Sequence, residues 1–278
     1  MKKLVLLVSA VAFMAMGASA LTNMCVEQMD GTIVRYDVES VKQVYYEEVA
    51  SADTTASDVI GVSVSGKIDD YYYVDLGLRS KTMWATCNVG ASKPEEYGDY
   101  FAWGETSPKE TYRLDNYKFS EDSCNTFTKY VLDSVYGAYD GLTTLDVGDD
   151  AAVQNWGRQW RMPTLEQWDE LVFGCDWKWM DDFNGSGVAG QVGTSKANGN
   201  TIFLPATGGK HDNTSSLVGF FGYYWSSTTT LDAVCYMGDG LTTTTLGANY
   251  FLLFDGGVTW DWSAERRCGY TVRAVVVW

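Results

Sequence analysis

The sequence predicts an α+β protein: two adjacent helices packed on small antiparallel sheets, joined by long irregular loops. Three observations carry this expectation. Residues 160–171 hold a strongly specified helix start, a second short helix signal lies just ahead of it, and short strand-like runs elsewhere are separated by Gly-, Ser-, Thr- and Asp-rich stretches. Aromatics make up 14% of the 278 residues and 28 glycines stand against 4 prolines, a balance that suits turn-rich β structure rather than disorder.

At the start of the chain, Lys2 and Lys3, the apolar run Leu4 to Met16 and Ala18-Ser19-Ala20 read as an export leader over residues 1–20. The run is short for a membrane span, and no later segment is longer and as apolar. Cys25 follows Thr22-Asn23-Met24 and fits a lipid-attachment site poorly. The expected location is periplasmic, outer-surface or secreted, with no transmembrane segment. Residues 21–50 read as a small β-hairpin unit: Val26 to Met29, the turn pair Asp30-Gly31, then Thr32 to Val38. Residues 51–70 begin with a small polar run and read as a linker. Residues 71–278 read as one domain.

Within that domain, Tyr71 to Leu76 and Thr82 to Val89 are strand candidates around the turn Gly77 to Lys81, and Tyr97 to Trp103 is a third. Residues 107–148 read mostly as loop. Asp149 is the expected N-cap of a short helix through Trp156, closed by Gly157. Pro163 disfavours helical dihedrals at Met162, and Thr164 with Gln167 has capping-box spacing. Leu165, Trp168, Leu171 and Val172 form one apolar stripe to about Phe173, with Gly174 as the stop, so Glu166, Asp169 and Glu170 read as a solvated face. Thr201 to Leu204, Tyr223 to Ser226, Tyr250 to Phe254 and Tyr270 to Val277 complete the strand candidates. Gly238 to Gly247 reads as an exposed insertion.

Several segments follow a known pattern in order: Val74 to Leu78, Met83 to Ala91, Glu96 to Glu105, Asp149 to Ala152, Trp160-Arg161-Met162-Pro163-Thr164, Phe203 to Ala206, Tyr224 to Thr228 and Val272 to Val275. Together they resemble the Fibrobacter succinogenes major paralogous domain across roughly Tyr71 to Trp278. More distantly, Met162 to Asp169 and Gly269-Tyr270 with Arg273 resemble formylglycine-generating enzymes. The resemblance implies a C-type-lectin-like fold, with Trp160, Arg161, Pro163, Thr164, Trp168, Trp225 and Arg273 as structural residues. It concerns scaffold, and function has to come from the site.

The formal charge of −16 disfavours nucleic acid and anionic membranes, and is compatible with divalent cations, neutral glycans or basic partners. Six cysteines, Cys25, Cys87, Cys124, Cys175, Cys235 and Cys268, permit disulfides in an exported chain, but spacing does not set connectivity, and no Cys-x-x-Cys occurs. The segment Asn249 to Trp262, where the resemblance would place the oxidase cysteines, has none. His211, the only histidine, sits in a loop-like composition and reads as solvent-exposed. No Gly-x-Ser-x-Gly elbow is present. Asp181-Asp182-Phe183-Asn184-Gly185 suggests a calcium loop, yet it would put Met180 and Gln191 at ligand positions of an EF-hand. No cofactor is expected, and a structural calcium stays open.

Trp260-Asp261-Trp262 lies in a polar run, and extended alternation would put both indoles on one face. With Asp255 and Asp239 they are the candidate ligand contacts, on a surface combining Thr228 to Leu246 with Asp255 to Ala264. The expected function is an exported, non-enzymatic binding or adhesion protein that presents loops to a glycan or a surface protein. Two alternatives stand beside it: a structural subunit of a cell-surface assembly, and an enzyme of different chemistry on a formylglycine-generating-enzyme-like scaffold.

Overall fold

The structure is a computed structural model; it describes residues 23–27, 33–37, 61–121, 126–236 and 242–276, with backbone alone at 23–27, 33–37, 232, 234–236, 242–244 and 261. It divides into two units, residues 1–55 and 56–278. In the first, β1 (Asn23–Glu27) and β2 (Ile33–Asp37) form an antiparallel pair with Cys25 opposite Arg35 and Val26 opposite Val34.

The second unit is α+β and rich in strand. Its five-stranded sheet contains β3 (Gly66–Ile68), β4 (Tyr71–Asp75), β5 (Met83–Ala85), β6 (Trp160–Arg161) and β15 (Val275–Val276), in the order β3-β4-β5-β15-β6. β3 falls in the stretch read as linker. It belongs to the sheet because Gly66 to Ile68 pair with Tyr73 to Tyr71, and the Ser63 amide donates to the Thr201 carbonyl at 3.0 Å. The Pro163 tract and the terminal arginine strand are direct neighbours: Val275 faces Arg161 and Val276 faces Trp160.

The helices follow from their caps. α1 (Ala151–Trp156) begins one residue later than expected, and its N-cap is Asp150, whose carboxylate accepts from the Ala152 and Val153 amides at 2.8 and 3.1 Å. Asp149 is drawn elsewhere, by lysines described below. α2 (Leu165–Gly174) has the anticipated capping box: Thr164 Oγ1 accepts from the Gln167 amide while Gln167 Oε1 accepts from the Thr164 amide. Trp168, Leu171 and Val172 face inward, and the Trp168 ring stacks on Phe251 at 4.4 Å.

Two further antiparallel sheets complete the unit. β7 (Cys175–Met180), β8 (Gly190–Ser195) and β9 (Thr201–Pro205) form one, and β12 (Phe221–Tyr236), β13 (Thr242–Phe254) and β14 (Gly257–Glu265) the other. A small pair, β10 (Gly209–His211) with β11 (Thr214–Ser216), lies between them in sequence. β13 divides the core by simple alternation: Leu246, Ala248, Tyr250 and Leu252 join one apolar cluster, Phe251 and Leu253 the other.

Three expectations change. Tyr97 to Trp103 is no strand, because its amides bond separate partners: Asp99 to Val89, Phe101 to Tyr270 and Trp103 to Arg266. Residues 242–247, expected in an exposed insertion, pair with β12 instead, and Thr245 and Leu246 are buried. Among the described residues from Tyr270 on, Val275 and Val276 alone form a strand; Tyr270 and Thr271 make isolated bridges to Phe101 and Tyr224.

The described residues of the long segment 107–148 have almost no regular structure, and polar clamps order them. Arg266 is buried beneath it, donating to the carbonyls of Tyr130 (2.9 Å), Lys129 (3.3 Å) and Gly247 (3.0 Å), with its guanidinium 4.9 Å from the Trp103 ring. Burial lowers its pKa to about 10, so it keeps its charge at neutral pH. Asp149 accepts from Lys118 Nζ (2.6 Å), Lys129 Nζ (2.7 Å) and Tyr130 Oη (2.6 Å). All seven residues expected to be structural lie in this unit. Trp160, Trp168, Trp225 and Arg273 are fully enclosed, and Arg273 donates to Asn88 Oδ1 and the Ala85 carbonyl. The Pro163 carbonyl accepts from the Ser227 amide at 2.7 Å.

Candidate functional sites

β14 carries the sequence-predicted aromatic pair, and its register decides where each ring goes. Tyr250 faces Trp262 and Leu252 faces Thr259, so Trp260 and Asp261 together oppose Phe251. One extra residue on a strand is a β-bulge, and it resets the two-residue alternation. Trp260 therefore packs toward the α2 side with the Phe251 cluster, whereas Trp262 follows its partner Tyr250 to the other face. The expectation of one shared face does not hold. Trp260 is half-buried, its ring edge-to-face with Phe173 at 4.7 Å and 77°. Trp262 is 53% exposed.

Asp255 is exposed in the β13–β14 turn, on the same hairpin as Trp262. Asp239 and the Asp261 side chain lie outside what is described. In the other half of the expected surface, the described residues Thr229, Ala233, Thr245 and Leu246 are buried while Leu231 is exposed, because long β12 and β13 pair where a loop was anticipated.

A second concave feature was not anticipated. A cleft of about 740 Å³ runs between the β4–β5 turn, the outer face of α2 and the β8–β9 turn. That volume falls within the range of small-molecule sites. Glu166, Asp169 and Glu170, read from sequence as a plain solvated face, line it together with Arg79, Phe173 and Lys196. Its rim is held by Glu170, which accepts from both the amide and the hydroxyl of Ser80. Gly174 lets the helix end press against this turn, since a Cβ there would lie 2.5 Å from Leu78 Cδ2. Three segments far apart in sequence build the cleft, so no local pattern signals it.

The third feature pairs the lone histidine with a thiol. His211 Nδ1 lies 3.3 Å from Cys268 Sγ, with Asp212 adjacent in sequence and Glu265 held by Arg267 Nε at 2.5 Å. His211 is exposed as expected, but it ends strand β10 and is not in a free loop. Cys268 is buried, and its desolvation, with the Glu265 carboxylate adding to it, pushes the thiol up to about 12. Desolvation and the nearby Arg267 charge hold His211 below the usual imidazole range. The Cys268 thiol is therefore held as S–H at pH 7.

Acidic groups in the suspected calcium loop are engaged locally: Asp182 accepts from the Gly187 amide at 2.6 Å and Asp181 from the Trp179 indole at 2.8 Å. Among the described residues no cluster of three or more His, Cys, Asp or Glu is arranged to hold a metal ion. No helix of the described residues is long and apolar enough to cross a membrane. Comparison of the chain with protein-family models, curated proteins and solved structures finds no match.

Proposed function

We propose that this chain is an exported, non-enzymatic binding and adhesion protein on a C-type-lectin-like scaffold of the Fibrobacter succinogenes major paralogous type. It would engage a glycan or a surface protein through the β13–β14 face. The observation that carries the reading is Trp262: a large indole, 53% exposed, on a strand paired to β13, whose own side chains are fixed in the core. An aromatic ring held on regular structure binds at low entropic cost, because its support is already ordered. The scaffold reading draws support from two adjacent helices, a sheet uniting early and late strands, and a long irregular segment clamped by buried side chains. The buried, protonated Cys268 weighs against the enzymatic alternative.

One observation favours a second reading. Among the described residues β1 and β2 form a sheet of two strands, so each has there an open edge of the kind that pairs with a neighbouring chain. A subunit of a surface assembly would use it in this way, and deleting residues 21–50 would abolish concentration-dependent oligomers.

The binding reading is tested by glycan-array and surface-protein capture with the wild type and Trp262→Ala. A ligand whose capture falls about tenfold in the variant supports it. No binder in either screen, or a binder indifferent to Trp262→Ala, removes it.

A further inference from the structure

We infer that the cleft beside α2 is a separate binding site for a neutral saccharide. Its chemistry is mixed in a way that narrows the ligand. The Phe173 residue is 61% exposed and its ring meets the Trp260 ring edge-to-face at 4.7 Å, which gives a flat apolar platform supported by a neighbouring indole. Around it stand Glu166 and Asp169 as acceptors and Arg79 as donor, and among the described contacts these three side chains have no hydrogen bond or ion pair of their own. Lys196 adds a further donor beside the platform, its Nζ already 3.0 Å from the Phe173 carbonyl.

Each competing ligand class meets an obstacle. An anionic ligand faces Glu166, Asp169 and Glu170 together, and a cationic one faces Arg79 and Lys196. An extended peptide would seek a free strand edge, but the walls are two turns and a helix. An amphipathic helix would seek an apolar groove, and the apolar stripe of α2 is turned into the core. A sugar ring has what remains: one apolar face to stack on Phe173, and vicinal hydroxyls that both donate to carboxylates and accept from a guanidinium. Glu170 and Ser80 fix the rim beforehand, which lowers the cost of ordering on binding.

This inference goes beyond the Trp262 reading, since Trp260 and Trp262 occupy opposite faces of β14 and the two sites fail independently. The experiment is a titration of the full exported chain with neutral trisaccharides of glucose, mannose, galactose and xylose. It is followed by indole fluorescence and saturation-transfer NMR, with a lysine-rich peptide and a uronic-acid trisaccharide run in parallel. At least one neutral trisaccharide is expected to bind saturably, and Phe173→Ala or the pair Glu166→Gln with Asp169→Asn to weaken it about tenfold or more. Trp262→Ala is expected to leave the affinity within about twofold. Near-UV circular dichroism shows that each variant is folded, and Phe173→Tyr, which keeps the ring, is expected to retain binding. Absence of binding by all four sugars overturns the inference. So does indifference to Phe173→Ala in a folded variant, or preference for the peptide or the uronic acid.

Discussion

Trp260 and Trp262 stand two residues apart on one strand and project from opposite faces of it, because the bulge opposite Phe251 inserts one residue between them. Their roles separate accordingly. Trp260→Ala removes half-buried packing against Phe173 and is expected to cost about 2 kcal/mol. Trp262→Ala, at an exposed position, is expected to change stability by less than about 0.5 kcal/mol. Urea denaturation of the two variants checks this, and equal losses would contradict the bulge register.

Thr164→Ala removes the acceptor for the Gln167 amide and opens the capping box. The expected loss is about 1 kcal/mol, read as a lowered thermal midpoint. Thr164→Ser keeps the hydroxyl and is expected to restore most of it.

Asp149 gives a stability that depends on pH. Burial alone would raise its pKa, but hydrogen bonds from Lys118, Lys129 and Tyr130 outweigh it and bring the value below the ordinary one. A folded pKa below the unfolded one stabilises above the unfolded value, about 3.9, and the gain is lost as pH falls through the folded value. Asp149→Asn is therefore expected to destabilise by about 2 kcal/mol at pH 7 and by clearly less near pH 2. Chemical denaturation at both pH values measures the difference; an equal effect at each would show that the carboxylate charge is not what matters.

Cys268, Cys175 and Cys87 are all buried thiols with raised pKa, Cys268 and Cys175 to about 12. In the native protein at pH 8, iodoacetamide is expected to leave all three unlabelled, and to label them after unfolding. Peptide mapping by mass spectrometry reads each site. Rapid native labelling of Cys268 would instead reveal an accessible thiolate beside His211 and revive the enzymatic alternative.

Local chemistry was legible in the sequence, and chemistry assembled across distance was not. Thr164 and Gln167 are three residues apart, and their geometry follows from spacing alone. The cap of α1 slipped from Asp149 to Asp150 because two lysines more than fifteen residues away captured the first carboxylate. β8 gave no strand signal, since Gly190 and Gly193 have no β preference. They are needed because the Phe203 and Trp177 rings lie where a Cβ would be. The aromatic pair on β14 was found by composition, but its facing depends on a bulge set by the partner strand. His211 and Cys268 meet only through folding.

The placement of β15 has a consequence for how the molecule is built. It is a middle strand, flanked by β5 on one side and β6 on the other, and both neighbours precede it along the chain. Without residues 275–276 the sheet is two fragments with open seams, so the docking of this strand is a closure rather than an extension. Trimming this strand would leave β5 and β6 without the partner that joins them.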